Sequence, residues 1–362
     1  MRIVAHFPHP FENVFGCVNI TLNVSACRRR PLRGKIGVFV FHYRELYKRT
    51  FRILLCSVIY ALFAFFLLGR TYAETKDSPV TYLDSISEDE EGQSLQFPFF
   101  VSADPVTGEI YVIDSRSRVI IYTPDLFPVF TLGKNSGIGI PQGLTLDADG
   151  NLYVVQAQSG DGGKQRISIF NARLKHERDI FLRGFEGDSM FRPHSIALDR
   201  KGNIYVAGYY YPGILILNRQ GELLEIFSPT AGDGKKIYFD DIVIDRSGKM
   251  YLLCQATSNI YVYGEDRTLL LKFGEQGGSA GKLANPVKIF VDSTSGRTYV
   301  VDFMRHAITV YDSEGKYIFE FGGKGWGEGW FQFPLGVAVD AKGRILVADN
   351  YNKRVQVFKP NR

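Results

Sequence analysis

The sequence predicts an all-β fold, a six-bladed β-propeller with four-stranded antiparallel blades, preceded by an N-terminal hydrophobic helix. Three observations support this prediction. A pattern of about 43 to 52 residues recurs from Phe97 onward, and such a period is typical of propellers. Each copy contains a hairpin pattern, two apolar runs rich in β-branched and aromatic residues around a glycine turn. The last copy lacks a fourth strand, and a segment ahead of the first copy can supply it.

The six copies open in the same way. In the second copy, the run Pro141–Asp147 is followed by Gly150 and then by the run Asn151–Val155. The turn follows the pattern Asp-x-x-Gly or a version one residue longer, and glycine supplies the positive φ that this turn needs. The first runs of the six copies are Pro98–Asp104, Pro141–Asp147, Pro193–Asp199, Phe239–Asp245, Pro286–Asp292 and Pro334–Asp340.

Two further strands complete each copy except the last. In the fifth copy these strands are Ile308–Tyr311 and Tyr317–Phe321. The sixth copy stops after its third strand at Phe358, and the proline of Lys359–Pro360 discourages continuation of the sheet. We therefore expect Val80–Ile86 to form the outer strand of the sixth blade, which closes the ring and removes an open sheet edge.

The sequence resembles the NHL-repeat family over the whole of Val80–Phe358. Blade six carries the resemblance best, in Phe333–Asp340 and Asp349–Phe358. Blades three and four depart from the pattern: they lack the aspartate at the end of the second strand and have Gly208 and Cys254 there. The resemblance implies that the recurring aspartates mainly fix turns. It also implies enzymes as relatives, including peptidyl-hydroxyglycine lyases, streptogramin lyases and calcium-dependent lactonases.

A hydrophobic stretch precedes the repeats. Residues 53–69 carry no charge and follow a cluster of basic residues, which predicts a transmembrane helix or the core of a signal peptide. Residues 1–52 are a basic cytoplasmic leader or lie upstream of the true translation start. Residues 70–79 are a linker, and residues 80–362 form the propeller. We expect a membrane-anchored or secreted protein with the propeller outside the cytoplasm, in the periplasm or at the surface of a bacterial cell.

The charge and the cysteines limit the possible partners. The net charge is +5, but 12 of the 43 Lys and Arg residues lie in residues 1–76 against 3 of the 38 Asp and Glu residues. The propeller is therefore slightly acidic, and it lacks the basic excess that a nucleic-acid-binding protein needs. Cys254 is the lone cysteine of the propeller and lies in an apolar run, which indicates a buried, unreactive thiol.

The predicted binding surface is the top face of the propeller. We define this face by the connections from strand two to strand three and from strand four to the next blade, which are long and individual, whereas the turns on the opposite face are short. Binding residues usually lie on variable loops above a rigid scaffold. The candidate ligand-binding residues are Gln142, Gln156, His194, Tyr209, Tyr210, Tyr211, Asp240, Asp241, Lys288 and Arg305.

Two classes of function remain open at this point. The first is a non-enzymatic scaffold that binds a protein, peptide or carbohydrate on the top face. The second is a propeller enzyme of the lyase or lactonase type, with a cation in the central channel. Of the three propeller histidines, only His194 is expected at the rim, so a zinc site of three histidines is not expected. We predict no catalytic residue, no resident metal and no cofactor, and a membrane contact through residues 53–69.

Overall fold

The computed structural model describes residues 78–158 and 164–361. These residues form six four-stranded antiparallel sheets, so the predicted all-β, six-bladed propeller is confirmed. The predicted N-terminal helix over residues 53–69 lies outside the described residues. Within the described part of the chain, no helix is long and apolar enough to cross a membrane.

The strands follow one another outward from the central channel in each blade. The closing strand is β1 (Val80–Ile86). Blade one comprises β2 (Phe100–Ala103), β3 (Ile110–Asp114), β4 (Arg118–Tyr122) and β5 (Pro128–Leu132); blade two comprises β6 (Ile140–Leu146), β7 (Leu152–Ala157), β8 (Arg166–Phe170) and β9 (His176–Phe181); blade three comprises β10 (Arg192–Leu198), β11 (Ile204–Tyr209), β12 (Ile214–Leu217) and β13 (Leu223–Phe227).

The second half of the ring repeats this arrangement. Blade four comprises β14 (Asp241–Ile244), β15 (Met250–Cys254), β16 (Asn259–Tyr263) and β17 (Leu269–Phe273); blade five comprises β18 (Pro286–Asp292), β19 (Arg297–Asp302), β20 (Ala307–Tyr311) and β21 (Tyr317–Gly322); blade six comprises β22 (Pro334–Val339), β23 (Ile345–Asp349), β24 (Arg354–Pro360) and the closing strand. Short 3-10 turns lie at Lys134–Ser136 and Gln255–Thr257.

The closing strand β1 joins the two ends of the propeller. It pairs antiparallel with β24, from Val80 opposite Pro360 to Ile86 opposite Val355. The side chains of Val80 and Ile86 are buried in the apolar layers on either side of blade six. The pairing is the one that the incomplete sixth repeat predicts, and it leaves blade six with four strands like the others.

Apolar side chains between neighbouring blades form the core. Six buried clusters each join residues of two adjacent blades, and strands two and three of the blades are almost wholly buried. The strand-one turns are fixed by their aspartates: in blade two, Asp147 accepts hydrogen bonds from the backbone N–H groups of Asp149 (3.0 Å) and Asn151 (2.9 Å). Gly150 has φ 79°, a conformation that glycine adopts without strain.

Aspartates at the ends of the second strands fix the segment that enters blades five and six. Asp349 is fully buried and accepts hydrogen bonds from the backbone N–H of Gln332 (2.7 Å) and from Nε of Arg354 (3.0 Å). Asp302 accepts in the same way from the backbone N–H groups of Ala284 and Asn285. These contacts give the recurring aspartates the turn-fixing role that the family resemblance implies.

Candidate functional site

Blades three, four and five bring five of the candidate residues together at the top of the channel. The segments that carry them begin strand one or end strand two, so their side chains meet where three blades converge. We call this group the His194 cluster: it consists of His194, Tyr209, Asp240, Asp241 and Lys288.

His194 and Tyr209 form the aromatic part of the cluster. Their rings stack with centroids 3.8 Å apart and an angle of 13° between planes. His194 Nε2 hydrogen-bonds the backbone carbonyl of Asp240, so Nε2 carries the proton in the neutral ring. In the described structure, Nδ1 is buried without a hydrogen-bond partner. Burial lowers the pKa of His194 to about 4, which keeps the imidazole neutral near pH 7.

Asp241 and Lys288 form the charged part of the cluster. The buried Asp241 carboxylate accepts hydrogen bonds from Lys288 Nζ and from the Ser195 hydroxyl, each at 2.6 Å, and from the backbone N–H of Ile289 at 2.8 Å. Lys288 Nζ also lies 5.0 Å from the ring centroid of Phe100. The Asp241 charge is thus paired and fully hydrogen-bonded, as a buried charge requires.

Asp240 is the second acid of the cluster. Its carboxylate accepts a hydrogen bond from the backbone N–H of Gln255 at 2.7 Å. Burial raises the pKa of Asp240; the Gln255 hydrogen bond opposes the rise, and the Asp241 charge adds to it. A neutral imidazole and a carboxyl with a raised pKa therefore lie side by side at the channel mouth.

Tyrosines extend the cluster toward solvent. Tyr210 is 80% exposed and its ring centroid lies 6.4 Å from that of Tyr209, which is 47% exposed. Tyr238, which the sequence did not single out, is also exposed, and it forms a β-bridge with Pro212. The loop between strands two and three of blade three and the loop before blade four therefore present aromatic side chains on one surface.

Four candidate residues lie apart from this surface or only at its edge. Gln142 is half-buried and donates its amide to the Pro141 carbonyl. Gln156 is buried and hydrogen-bonded to Ser168 Oγ at 2.6 Å. The buried Tyr211 donates its hydroxyl to the Glu186 carbonyl at 3.0 Å. Gln156 is therefore buried within strand β7, and Tyr211 packs beneath its own loop.

Arg305 makes its side-chain contacts within blade five and the loop that precedes it. It donates hydrogen bonds to the Lys282 carbonyl at 2.8 Å and to the Glu320 carboxylate at 2.7 Å. The other two propeller histidines also have local partners: His176 pairs with Asp179 at 2.9 Å near a turn on the opposite face, and His306 Nδ1 accepts the backbone N–H of Phe333. Among the described residues, no group of three or more His, Cys, Asp or Glu side chains is placed to hold a metal ion.

A cavity of about 820 Å³ lies at the opposite face, within the ring of Asp-x-x-Gly turns. The carboxylates there are occupied by the turns themselves: Asp199 accepts the backbone N–H groups of Lys201 (2.8 Å) and Asn203 (2.9 Å). The sequence placed no candidate residue at this face, and the cavity and the predicted binding surface lie at opposite ends of the channel.

A second set of aromatic side chains crosses the top face over blades five, six and one. We call it the aromatic row: Phe303, Phe333, Tyr351 and Phe97. Successive ring centroids lie 4.8, 5.0 and 5.6 Å apart. None of these four aromatic residues is among the candidates that the sequence predicts. The sequence feature that corresponds to the row is the tripeptide Gln-Phe-Pro, which occurs before blade one and again before blade six. By itself this repeat indicates only that the two blades are entered through similar linkers.

The comparisons with known proteins agree with this architecture. Residues 331–358 match the NHL repeat, and residues 184–209 match a β-propeller repeat. The comparison with curated proteins found no match. The chain is thus a six-bladed β-propeller that carries an NHL repeat, and the resemblance seen in the sequence is confirmed.

Solved structures share the fold at low identity. An auxiliary nutrient binding protein from Bacteroides ovatus is 19% identical with a TM-score of 0.57, over 78% of this chain and 76% of that one. One from Bacteroides thetaiotaomicron is 14% identical with a TM-score of 0.58, over 77% and 76%. Streptogramin B lyase is 13% identical with a TM-score of 0.56, over 78% and 98%. At these identities the likeness shows the fold.

Proposed function

We propose that this protein is an exported or membrane-anchored scaffold that binds a protein, peptide or glycan on its top face and does no chemistry on it. The observation that carries the proposal is the exposure of Tyr209 and Tyr210 beside the buried His194, on whose ring Tyr209 stacks. Rigid aromatic side chains provide a large contact area at a low cost in conformational entropy. An exposed aromatic pair on a fixed support is therefore suited to anchor a partner.

The support beneath these tyrosines is preorganised. The stacked His194 ring holds one face of Tyr209, and His194 is itself fixed by the Asp240 carbonyl. The Asp241 to Lys288 ion pair ties blade four to blade five under the same surface. A binding surface whose side chains are already ordered loses less entropy when a partner arrives.

The enzyme alternative has one observation in its favour. The lowered pKa of His194 and the raised pKa of Asp240 occur together, and shifted pKa values are common at catalytic sites. The ion pair counts against the version with a cation in the channel, because the ammonium of Lys288 already occupies the Asp241 carboxylate. Calorimetry with Ca²⁺ and Zn²⁺ on the full chain separates the two: heat of binding with thermal stabilisation favours the enzyme.

The fold neighbours are compatible with both classes. Two are described as auxiliary nutrient binding proteins, and one is streptogramin B lyase. The binding class is favoured here because the exposed groups of the site are aromatic, whereas Asp240, Asp241 and Nε2 of His194 beneath them are hydrogen-bonded within the protein.

Export is part of the proposal and rests on residues 53–69. A reporter enzyme that is active only outside the cytoplasm, fused after residue 76, tests it. We expect an active fusion, and loss of activity when a charged residue is placed in the middle of the apolar stretch. An inactive fusion with the native stretch contradicts export.

The binding test uses a variant on each face. We expect the full chain to select ligands from a glycan array or a random-peptide display library, and Tyr210→Ala to weaken capture by about tenfold or more. Phe127→Ala is the matched control, because Phe127 is an exposed aromatic (68%) at a turn on the opposite face. Capture that is unchanged in Tyr210→Ala, or equally weakened in both variants, contradicts the proposed surface.

A further inference from the structure

The aromatic row lies in the half of the ring away from Tyr209 and Tyr210. It crosses blades five, six and one, and its members come from strand ends and loops of the top face. Tyr351 is 60% exposed and Phe97 is 36% exposed, and Met304 beside Phe303 is exposed as well. Contiguous exposed aromatic and methionine side chains mark interaction sites in soluble proteins.

Two members of the row are held in a strained conformation. Phe97 has φ 46° and Phe333 has φ 52°, the left-handed region in which a bulky L-residue is disfavoured by about 1 kcal/mol or more. Glycine or asparagine would occupy either position with less strain. Each phenylalanine directly precedes a proline at the start of its blade, Pro98 or Pro334. Eight other non-glycine residues of the described structure also have a positive φ, among them Leu126 and Leu174 in turns on the opposite face, so this conformation fixes the positions of the two rings and is not itself a mark of a binding site.

The free charge on the row is positive. Lys353 is exposed, and its Nζ lies 5.1 Å from the ring centroid of Phe97. The aspartates of these blades at the same level, Asp302 and Asp349, are fully buried and hydrogen-bonded to backbone N–H groups. A partner that contacts the row would therefore meet aromatic faces and an ammonium group, and acidic groups on that partner are favoured.

The angles between the rings indicate which class of ligand fits the row. Successive planes in the row differ by 35°, 59° and 68°, so the rings pack against one another at an angle and present an uneven surface. Sugars and nucleic-acid bases stack on a flat ring face, which this arrangement interrupts. Proline-rich segments in the polyproline II conformation dock into grooves between aromatic side chains, and they lose little entropy because the conformation is preformed.

We propose that the aromatic row is a second binding site of this protein, which takes an extended proline-containing peptide segment with acidic residues. Proline rings pack on the uneven outer surface of Phe333, Tyr351 and Phe97, and a carboxylate of the peptide pairs with Lys353. The site is separate from the surface around Tyr210, so each can be removed without the other.

Fluorescence anisotropy with the full chain tests the proposal. The probe is a fluorescein-labelled peptide of Pro-Pro-Glu repeats, and a peptide of Pro-Pro-Lys repeats is its matched control. We expect the acidic peptide to bind more tightly than the basic one. Tyr351→Ala should weaken its binding about tenfold or more, and Lys353→Glu should weaken it several-fold, with the loss of salt dependence that follows removal of a charge pair. Tyr210→Ala and Phe127→Ala should bind the peptide like the wild type.

A second variant distinguishes loss of the binding site from loss of the folded structure. Phe97→Asn removes one ring of the row and also relieves the left-handed strain, because asparagine tolerates this conformation. We expect it to bind the acidic peptide at least several-fold more weakly while its melting temperature is not lowered. No binding by the wild type at about millimolar protein, equal affinity for the acidic and basic repeats, or unchanged binding in both Tyr351→Ala and Phe97→Asn overturns the proposal. Tighter binding of oligothymidylate or of a neutral oligosaccharide also overturns it.

Discussion

The ammonium of Lys288 lies 2.6 Å from Oδ1 of the fully buried Asp241, and this ion pair joins blades four and five at the top of the channel. Asp241 also holds the Ser195 hydroxyl of blade three. Three neighbouring blades thus share one carboxylate beneath the proposed binding surface. The pair is a structural element, and its removal is expected to affect stability first.

Lys288→Met should destabilise the protein by about 3 to 5 kcal/mol, because it leaves the buried Asp241 charge without its ammonium partner. Lys316→Met is the matched control: Lys316 pairs with Glu314, and both side chains are largely exposed, so stability should change little. Chemical denaturation followed by tryptophan fluorescence measures both. A loss in Lys288→Met as small as that in the control contradicts the assigned role of the pair.

His194 should make stability depend on pH. Burial depresses its pKa to about 4 in the folded protein, below the value of about 6.5 expected in the unfolded chain. Between these values the unfolded state binds more protons, so this contribution to stability is complete above about pH 6.5 and is lost as the pH falls toward 4. Full loss corresponds to about 3 kcal/mol.

The His194→Gln variant isolates this contribution. Other groups titrate in the same pH range. The quantity to measure is therefore the difference in denaturation midpoint between the wild type and His194→Gln, followed from pH 4 to 7. We expect the wild type to lose stability more steeply on acidification than the variant. Parallel curves for the two proteins would show that His194 is not held neutral by the fold.

Two apolar residues of the seven-residue closing strand differ in burial, so alanine substitutions at these two positions form a matched pair. Ile86 is buried against blade one, whereas Leu83 on the same strand is 47% exposed. Ile86→Ala should cost about 3 kcal/mol, and Leu83→Ala less than about 0.5 kcal/mol. Thermal unfolding measures both. Equal melting temperatures for the two variants would contradict the packing of Ile86 between the closing strand and blade one.

Gly208 stands where blades one, five and six carry an aspartate, and packing explains the difference. A Cβ atom at Gly208 would lie 2.2 Å from Cε2 of Phe191, a fully buried ring. Gly208→Ala should therefore destabilise the protein by about 2 kcal/mol, and Gly208→Asp by more. Gly232→Ala is the control, since a Cβ there meets nothing within 4 Å. Equal midpoints in urea for Gly208→Ala and Gly232→Ala would contradict this explanation.

Sequence periodicity was sufficient for the fold because each blade repeats the same strands and the same glycine turn. The missing strand of the sixth copy even indicated where the ring closes, since an unpaired β24 would leave an open edge. The departure at Gly208 could be seen but not explained, because the Phe191 ring that fills the space comes from the preceding connection and its packing depends on tertiary structure.

The binding surface was harder to predict than the fold. Spacing located His194, Asp240, Asp241 and Lys288 at strand starts, and the structure brings their side chains together. A run of three tyrosines does not reveal that Tyr210 faces solvent whereas Tyr211 packs beneath its own loop. The positive φ of Phe97 and Phe333 also leaves no trace in composition or periodicity. The aromatic row is therefore recognisable only in the three-dimensional structure.

Hydrogen–deuterium exchange tests the assignment of the binding face most directly. The full chain is compared with and without a saturating ligand selected from the glycan array or peptide library. We predict slower amide exchange at residues 209–211 and 238–241, on the surface around Tyr210. Protection confined to the turns at residues 147–150 and 199–202, which line the 820 Å³ cavity on the opposite face, would contradict the account.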